Sequence, residues 1–320
     1  CSLPASLSDD HTGPTPLAGP ATRRAREDRK PMTAFLQYTV QGLATGSFYA
    51  LSALGLAVIF GMLGVVNFAH GACYMFGAIL TAVLIDEIGL QFWPALLVVP
   101  LIMFVFGILV ERLLVRWLVR LDPLYNFLLT YGLSLVMVDQ VKARYGVSGL
   151  PYSPPEQLRG QLSLFGASVS RYQVFVFVLA LLVCLAVWLA MTRTRIGMIV
   201  RASTERAELT QALGINVGRW VTPVFGFGIA IAGFAGVLSA PFRAVNADMG
   251  TSFGIILFAV VVIGGLGSIL GAVVAGFVVG LVEAFGQAYA PAFAQILIFI
   301  LMALVILWRP AGFFGKEEAT

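Results

Sequence analysis

Apolar stretches long enough to cross a bilayer recur along the whole chain, and only short charged islands lie between them. The clearest runs from Gln173 to Met191 without a charged side chain, and at 1.5 Å per residue about 20 residues span the hydrocarbon. In lipid, backbone amides must be paired within the protein, which leaves helices for runs of this length. With 59% of residues hydrophobic and 11% charged, the chain has more apolar surface than a soluble fold of its size can bury. The fold class expected is all-α: a polytopic membrane bundle of about eight or nine transmembrane helices, with broken or re-entrant segments where glycines interrupt the runs.

The formal charge of +4 is spread in small arginine clusters at span ends, the arrangement that marks cytoplasmic loops, so nucleic-acid binding is discounted. None of the lysines, Lys30, Lys142 and Lys316, follows a glycine-rich phosphate loop, so ATP hydrolysis by that route is excluded. His11 and His70 cannot build a multi-histidine metal site, and no cofactor motif or nucleophile and base pair is recognisable. Cys1, Cys73 and Cys184 imply no disulfide framework. The chain reads as a non-enzyme without metal or cofactor.

Residues 1–31 are polar, proline-containing and aperiodic, which predicts a disordered tail ahead of a membrane domain over 32–320, with Met32 read as the natural start. Phe35 to Leu63 is the first span, and Gly42 and Gly46 have the spacing that lets helices approach closely in lipid. Asn67 and His70 follow, polar groups at membrane depth on one helical face, readable as a clamp between helices or as polar lining of a translocation path. Further spans cover Phe92 to Val110 and Leu124 to Val141. Arg112, Arg116 and Arg120 are spaced along one face towards headgroups. Asp139 falls near a span end, where it can face water.

Residues 142–171, rich in glycine and proline, form a long outer loop, either a docking surface or a slack connection. Trp220 to Leu238 is a span, and Ala240 to Asp248 reads as an outer turn. The Gly264-Gly-Leu-Gly-Ser268 cluster is either a tight turn between spans or an unwound stretch lining a cavity. Gly276 and Gly280 repeat the close-packing spacing. Glu283 reads as a helix-end residue at the interface rather than a path residue, because a lone buried acid is costly. A last span, Pro291 to Leu307, ends at Trp308-Arg309. Counting crossings from a cytoplasmic loop at 192–219 places the N-terminus outside, against the vote of Arg23, Arg24, Arg26, Arg29 and Lys30.

That loop is the sizeable charged island of the second half. Arg193, Arg195, Arg201, Arg206 and Arg219 outweigh Glu205 and Glu208. Ser203 or Thr204 can cap a short helix, the glutamates suit its N-terminal end, Leu209, Ala212 and Leu213 give it an apolar side, and Gly214 can end it. A half-apolar helix offered to the cytoplasm needs a partner.

The run from Arg201 to Val217, Arg-Ala-Ser-Thr-Glu-Arg-Ala-Glu-Leu-Thr-Gln-Ala-Leu-Gly-Ile-Asn-Val, resembles the cytoplasmic coupling loop of branched-chain amino acid ABC import permeases, the LivH family. Asn67-Phe-Ala-His-Gly71, after the span containing Ala50 to Leu56, resembles that family's most specific signature. The resemblance covers Met32 to the end. It implies a permease subunit in the cell inner (plasma) membrane that translocates branched-chain or related amino acids by alternating access. The implied partners are a second homologous permease, two ATPase subunits that dock on the coupling loop through residues including Arg201, Glu205, Glu208, Leu209 and Gly214, and a periplasmic or extracellular binding protein. A permease for urea or another amide-like solute is the nearest alternative, and a secondary transporter a further one.

Overall fold

The computed structural model describes residues 20–118, 121–146, 149–150, 152–164, 167–243 and 245–315, with the backbone alone at 20–31, 164 and 205–208. Helices account for nearly all of it: α1 (Pro20–Leu63), α2 (His70–Asp86), α3 (Phe92–Val110), α4 (Arg116–Leu118), α5 (Pro123–Tyr145), α6 (Arg171–Arg193), α7 (Arg195–Ala212), α8 (Val217–Ser239), α9 (Asp248–Gly264), α10 (Ile269–Tyr289) and α11 (Ala294–Trp308). A π-helical turn at Glu111–Val115 joins α3 to α4. The fold is an all-α membrane bundle. Among the described residues, 6 helices are long and apolar enough to cross a bilayer, and α2 and α9 are shorter apolar helices.

Two ends of the bundle follow from contacts between connections. At one end an antiparallel hairpin, β1 (Gln161–Leu164) with β2 (Ala167–Ser170), meets the first half of α1, where Gln37 donates to the Ser168 carbonyl at 3.2 Å. There also Leu150 N donates to Val245 O at 2.8 Å, and Lys142 pairs with Asp248 at 2.7 Å. At the other end α7 lies beside the last turn of α1, Thr204 facing Gly61, and Phe313 N, beyond α11, donates to Ile263 O at the end of α9. Long helices alternate between these ends. The alternation puts the start of α1 opposite α7, in keeping with the crossing count rather than with the arginines of the tail.

Helices in lipid are held together by close packing and polar contacts rather than by the hydrophobic effect, and small residues line the central crossings. A Cβ at Gly46 would stand 2.9 Å from the Phe277 Cα, and one at Gly280 would run into the Gly46 backbone. The spaced pairs Gly42/Gly46 and Gly276/Gly280 are thus the two sides of one antiparallel α1–α10 contact. Gly77 meets Gly233 where α2 crosses α8, and Gly71 meets Gly250 and Gly254 on α9. This packing leaves α1 and α8 central, with 83% and 78% of their apolar windows buried, against 28% for Arg171–Arg193 and 17% for Pro291–Trp308. The outer faces of α3, α6 and α11 present leucine, isoleucine and valine, as lipid requires.

Several expectations change. Residues 1–19 lie outside the described part, but 20–31 continue α1 where disorder was expected; alanine, arginine, glutamate and lysine there are good helix formers extending an existing helix, which removes the cost of nucleation. The long loop after α5 is built, not slack: it contains the hairpin, and Leu150 pairs with Val245. The glycine cluster is a tight turn between α9 and α10, with Gly265 and Gly267 at φ 97° and 79° and Ser268 capping α10 through the Gly271 N–H at 3.1 Å. Arg120 lies outside the described residues, and the π-turn at Glu111–Val115 breaks the even helical spacing between Arg112 and Arg116.

Candidate functional site

The α7 segment is fixed at both ends by its own sequence. Thr194 is extended (φ −101°, ψ 157°) and its Oγ1 accepts from Gly197 N, so the helix begins directly at the corner after α6. A side chain at Gly197 would collide with the Ala190 and Met191 carbonyls, so only glycine permits this corner. The expected cap at Ser203 or Thr204 is corrected: Ser203 is buried in mid-helix and Thr204 bonds back to the Val200 carbonyl at 2.8 Å. Nothing after Thr194 breaks the helix, so the earlier residue caps it. Gly214 does end it, at φ 84°.

The apolar side of α7 is uncovered. Leu209 is 54% and Leu213 81% exposed, with Ile196 and Met198 also exposed nearer the start. Arg201 is exposed, its guanidinium bonded to the Thr192 carbonyl at 3.3 Å, which ties α7 back to α6. Glu205 and Glu208 lie on the helical backbone, but their side chains are outside the described residues. Beside this helix a cleft of about 340 Å³ is lined by Gly214, Asn216, Arg219, Trp220 and Pro223.

Asn67 and His70 sit where the chain re-enters the bundle. After Leu63 the backbone is irregular until α2, and His70 Nε2 meets the Ser52 carbonyl at 3.0 Å, about 16 Å back along α1 from Leu63. A carbonyl only accepts, so Nε2 carries the proton. Asn67 Oδ1 accepts from Ala69 N at 3.0 Å, turning the chain into α2. Phe68 is held between the Phe127 and Phe258 rings, at 4.7 and 5.9 Å between centroids, and its N–H donates to Thr130. A small cavity borders Asn67, His70, Leu257 and Phe258. His70 therefore joins α2 to α1, Asn67 turns the chain into α2, and both border a small cavity, an arrangement that suits a clamp and a path lining alike.

Among the described residues two carboxylates, Glu283 and Glu111, are buried, each with partners that spacing alone does not show. Glu283 is 8% exposed, six residues before the end of α10, and it is not a lone acid. The Tyr49 hydroxyl donates to it at 2.7 Å, and Arg243, from the α8–α9 connection, donates at 3.2 Å. A lone acid would be costly there, but these partners are far away in sequence and invisible to periodicity. Glu111, 1% exposed, accepts from Thr222 at 2.7 Å and pairs with Arg116 at 3.5 Å. The sequence signal was available, since an acid and an arginine flank the span end, but the π-turn that swings Glu111 inward was not. Asp139 is exposed, as expected, and among the described residues no cluster of metal-ligating side chains occurs.

An all-α bundle with a glycine-packed core, buried polar contacts and a helix displayed at one end defines a multi-pass membrane protein. The chain belongs to the family described as branched-chain amino acid transport system, permease component, which matches residues 38–306. It is 33% identical over 299 residues to the high-affinity branched-chain amino acid transport system permease protein BraD of Pseudomonas aeruginosa, covering 89% of this chain and 97% of that one. To LivH of Escherichia coli K12 it is 31% identical, covering 89% and 96%, and to LivM of the same strain 26%, covering 82% and 67%. It is a multi-pass protein of the inner membrane.

Proposed function

We propose that this chain is the membrane permease subunit of an ABC importer that carries branched-chain or related amino acids inward, with ATP hydrolysed on separate subunits docked at α7. The observation that carries this reading is the uncovered apolar side of α7, Leu209 and Leu213, on a helix whose start is fixed by Thr194 and Gly197. A rigid helix with an exposed apolar side at the end of a membrane bundle suits a partner's groove. Residues 192–219 then act as the coupling loop, with Arg201, Glu205, Glu208, Leu209 and Gly214 at or beside the contact.

Motion of α7 would reach α6 through the Gly197 corner and α1 through Thr204 beside Gly61. A bundle with two arrangements, biased by nucleotide on the partner, gives alternating access. His70 holds α2 to α1 and Asn67 turns the chain into α2 next to the small cavity, so together they act as a clamp on the moving helices. The names of the relatives support amino acids as cargo, and the likeness to both LivH and LivM supports a second, similar permease beside this one. A binding protein delivers substrate at the hairpin end.

The test is labelled leucine uptake by the reconstituted complex. The expected result is uptake that needs ATP and is lost on Leu209→Asp with the permease still folded. Uptake that survives ATP depletion but collapses with an ion gradient would make the chain a secondary transporter, and uptake of urea in place of leucine would make it a sibling importer.

A further inference from the structure

We propose that Glu283 and Arg243, with Tyr49, form a station for a zwitterionic amino acid, which exchanges their mutual ion pair for pairs with its own ammonium and carboxylate. This deepens the preceding section and rests on its amino-acid reading.

The station has the parts such an exchange needs. Glu283 offers a carboxylate held by one phenol donor and one guanidinium, and Arg243 a planar fork suited to a carboxylate. The arginine side chain is 35% exposed, against 10% for the glutamate, so it is the member that a solute from the hairpin end meets first. The exchange leaves the local charge unchanged. A zwitterion supplies an anion to Arg243 and a cation to Glu283, whereas a neutral amide can replace neither, and an ion of single charge would leave one group buried and unpaired.

The surroundings fit the same ligand. Arg243 lies on irregular backbone between α8 and α9, yet Ala240, Val245 and Ala247 there are buried, covered by the segment that pairs Leu150 with Val245. Irregular backbone buried in a membrane protein is tolerated where protein covers it or it lines a cavity. Aromatic rings flank the ion pair: Tyr49 stacks on Phe253 at 5.2 Å, Phe253 on Tyr74 at 3.7 Å, and Phe48 packs on Phe242 at 5.7 Å. They give an apolar side chain something to lie against once Arg243 moves with its connection. The other buried acid, Glu111, does not qualify, because its arginine is five positions along the same chain segment and both are fastened to Thr222.

A structural ion pair and a substrate station respond differently to removal of both charges. Neutralising one partner strands the other, whereas neutralising both is often harmless to folding. The complex of this chain with its partner subunits is assayed in liposomes for ATP-driven uptake of labelled leucine, with thermal unfolding measured in parallel. Glu283→Gln and Arg243→Gln are each expected to lower uptake by about tenfold or more. The double variant is expected to regain stability and not uptake. Uptake in the double variant within about twofold of wild type, or unchanged uptake in both single variants, would overturn the station. If the double variant does not assemble, Arg243→Lys decides: it keeps the charge and loses the fork, so a raised KM for leucine supports the station and an unchanged KM contradicts it. A wild-type complex that takes up no leucine contradicts the proposed function itself, an outcome distinct from all of these.

Discussion

At the scale of single residues, Glu111 and Glu283 are each fastened by a hydroxyl and an arginine from other parts of the chain, or from beyond a distorted turn. Breaking such a cluster strands charge in a poorly solvated place. Glu111→Gln is expected to lower stability by about 1–2 kcal/mol, read as a lower melting temperature of the detergent-solubilised protein, with partial recovery in Glu111→Gln/Arg116→Gln. Gly280 makes a second case. Any side chain there runs into the Gly46 backbone, so Gly280→Leu should separate α1 from α10 and abolish assembly, while Val274→Leu, on an exposed face of α10, should leave it intact; size-exclusion profiles distinguish the two. The glycine spacing was legible in the sequence, because close approach needs small residues at fixed intervals. That the two spaced pairs meet each other was not, because nothing local encodes which helix lies opposite. Glu283 was read as a lone acid for the same reason: its cost could be judged from the sequence but its partners, Tyr49 and Arg243, could not.

At the scale of elements, α7 is the part on which function is staked. Its apolar residues and its terminal glycine could be read directly from spacing and turn chemistry. Its true start could not, since the corner at Thr194 depends on how closely α6 and α7 can pass, and that is set by the missing Cβ of Gly197. Gly197→Val should therefore spoil the corner: the protein is expected to reach the membrane, yet the ATPase subunits should no longer co-purify with it. Glu208→Lys, like Leu209→Asp, is expected to abolish transport with the permease still folded. Full transport in Glu208→Lys and Leu209→Asp would remove the helix from the mechanism. The break between α1 and α2 illustrates the opposite limit. Asn67 and His70 could be picked out as polar groups at depth, whereas the Ser52 carbonyl that His70 meets could not be read from spacing.

At the scale of the whole molecule, alternation of long helices between two ends places the hairpin and α7 on opposite sides of the bundle. Class and general architecture were plain from the apolar runs, because the bilayer admits so few backbone solutions. Helix pairing was not, because lipid-facing and protein-facing stretches of α1, α6 and α8 are equally apolar and differ mainly in side-chain size. The direction of the first helix, ambiguous from its arginines, follows from the Gln37 contact with the hairpin. The account as a whole stands on α7 facing the cytoplasm and gripping a nucleotide-hydrolysing subunit. Crosslinking from a cysteine at Leu213, with Ser163 in the hairpin as the control position, tests this most directly in native membranes. The account predicts an adduct with the ATPase subunit from Leu213 and none from Ser163. Labelling of Leu213→Cys by an impermeant reagent from outside, with no ATPase captured, would contradict it.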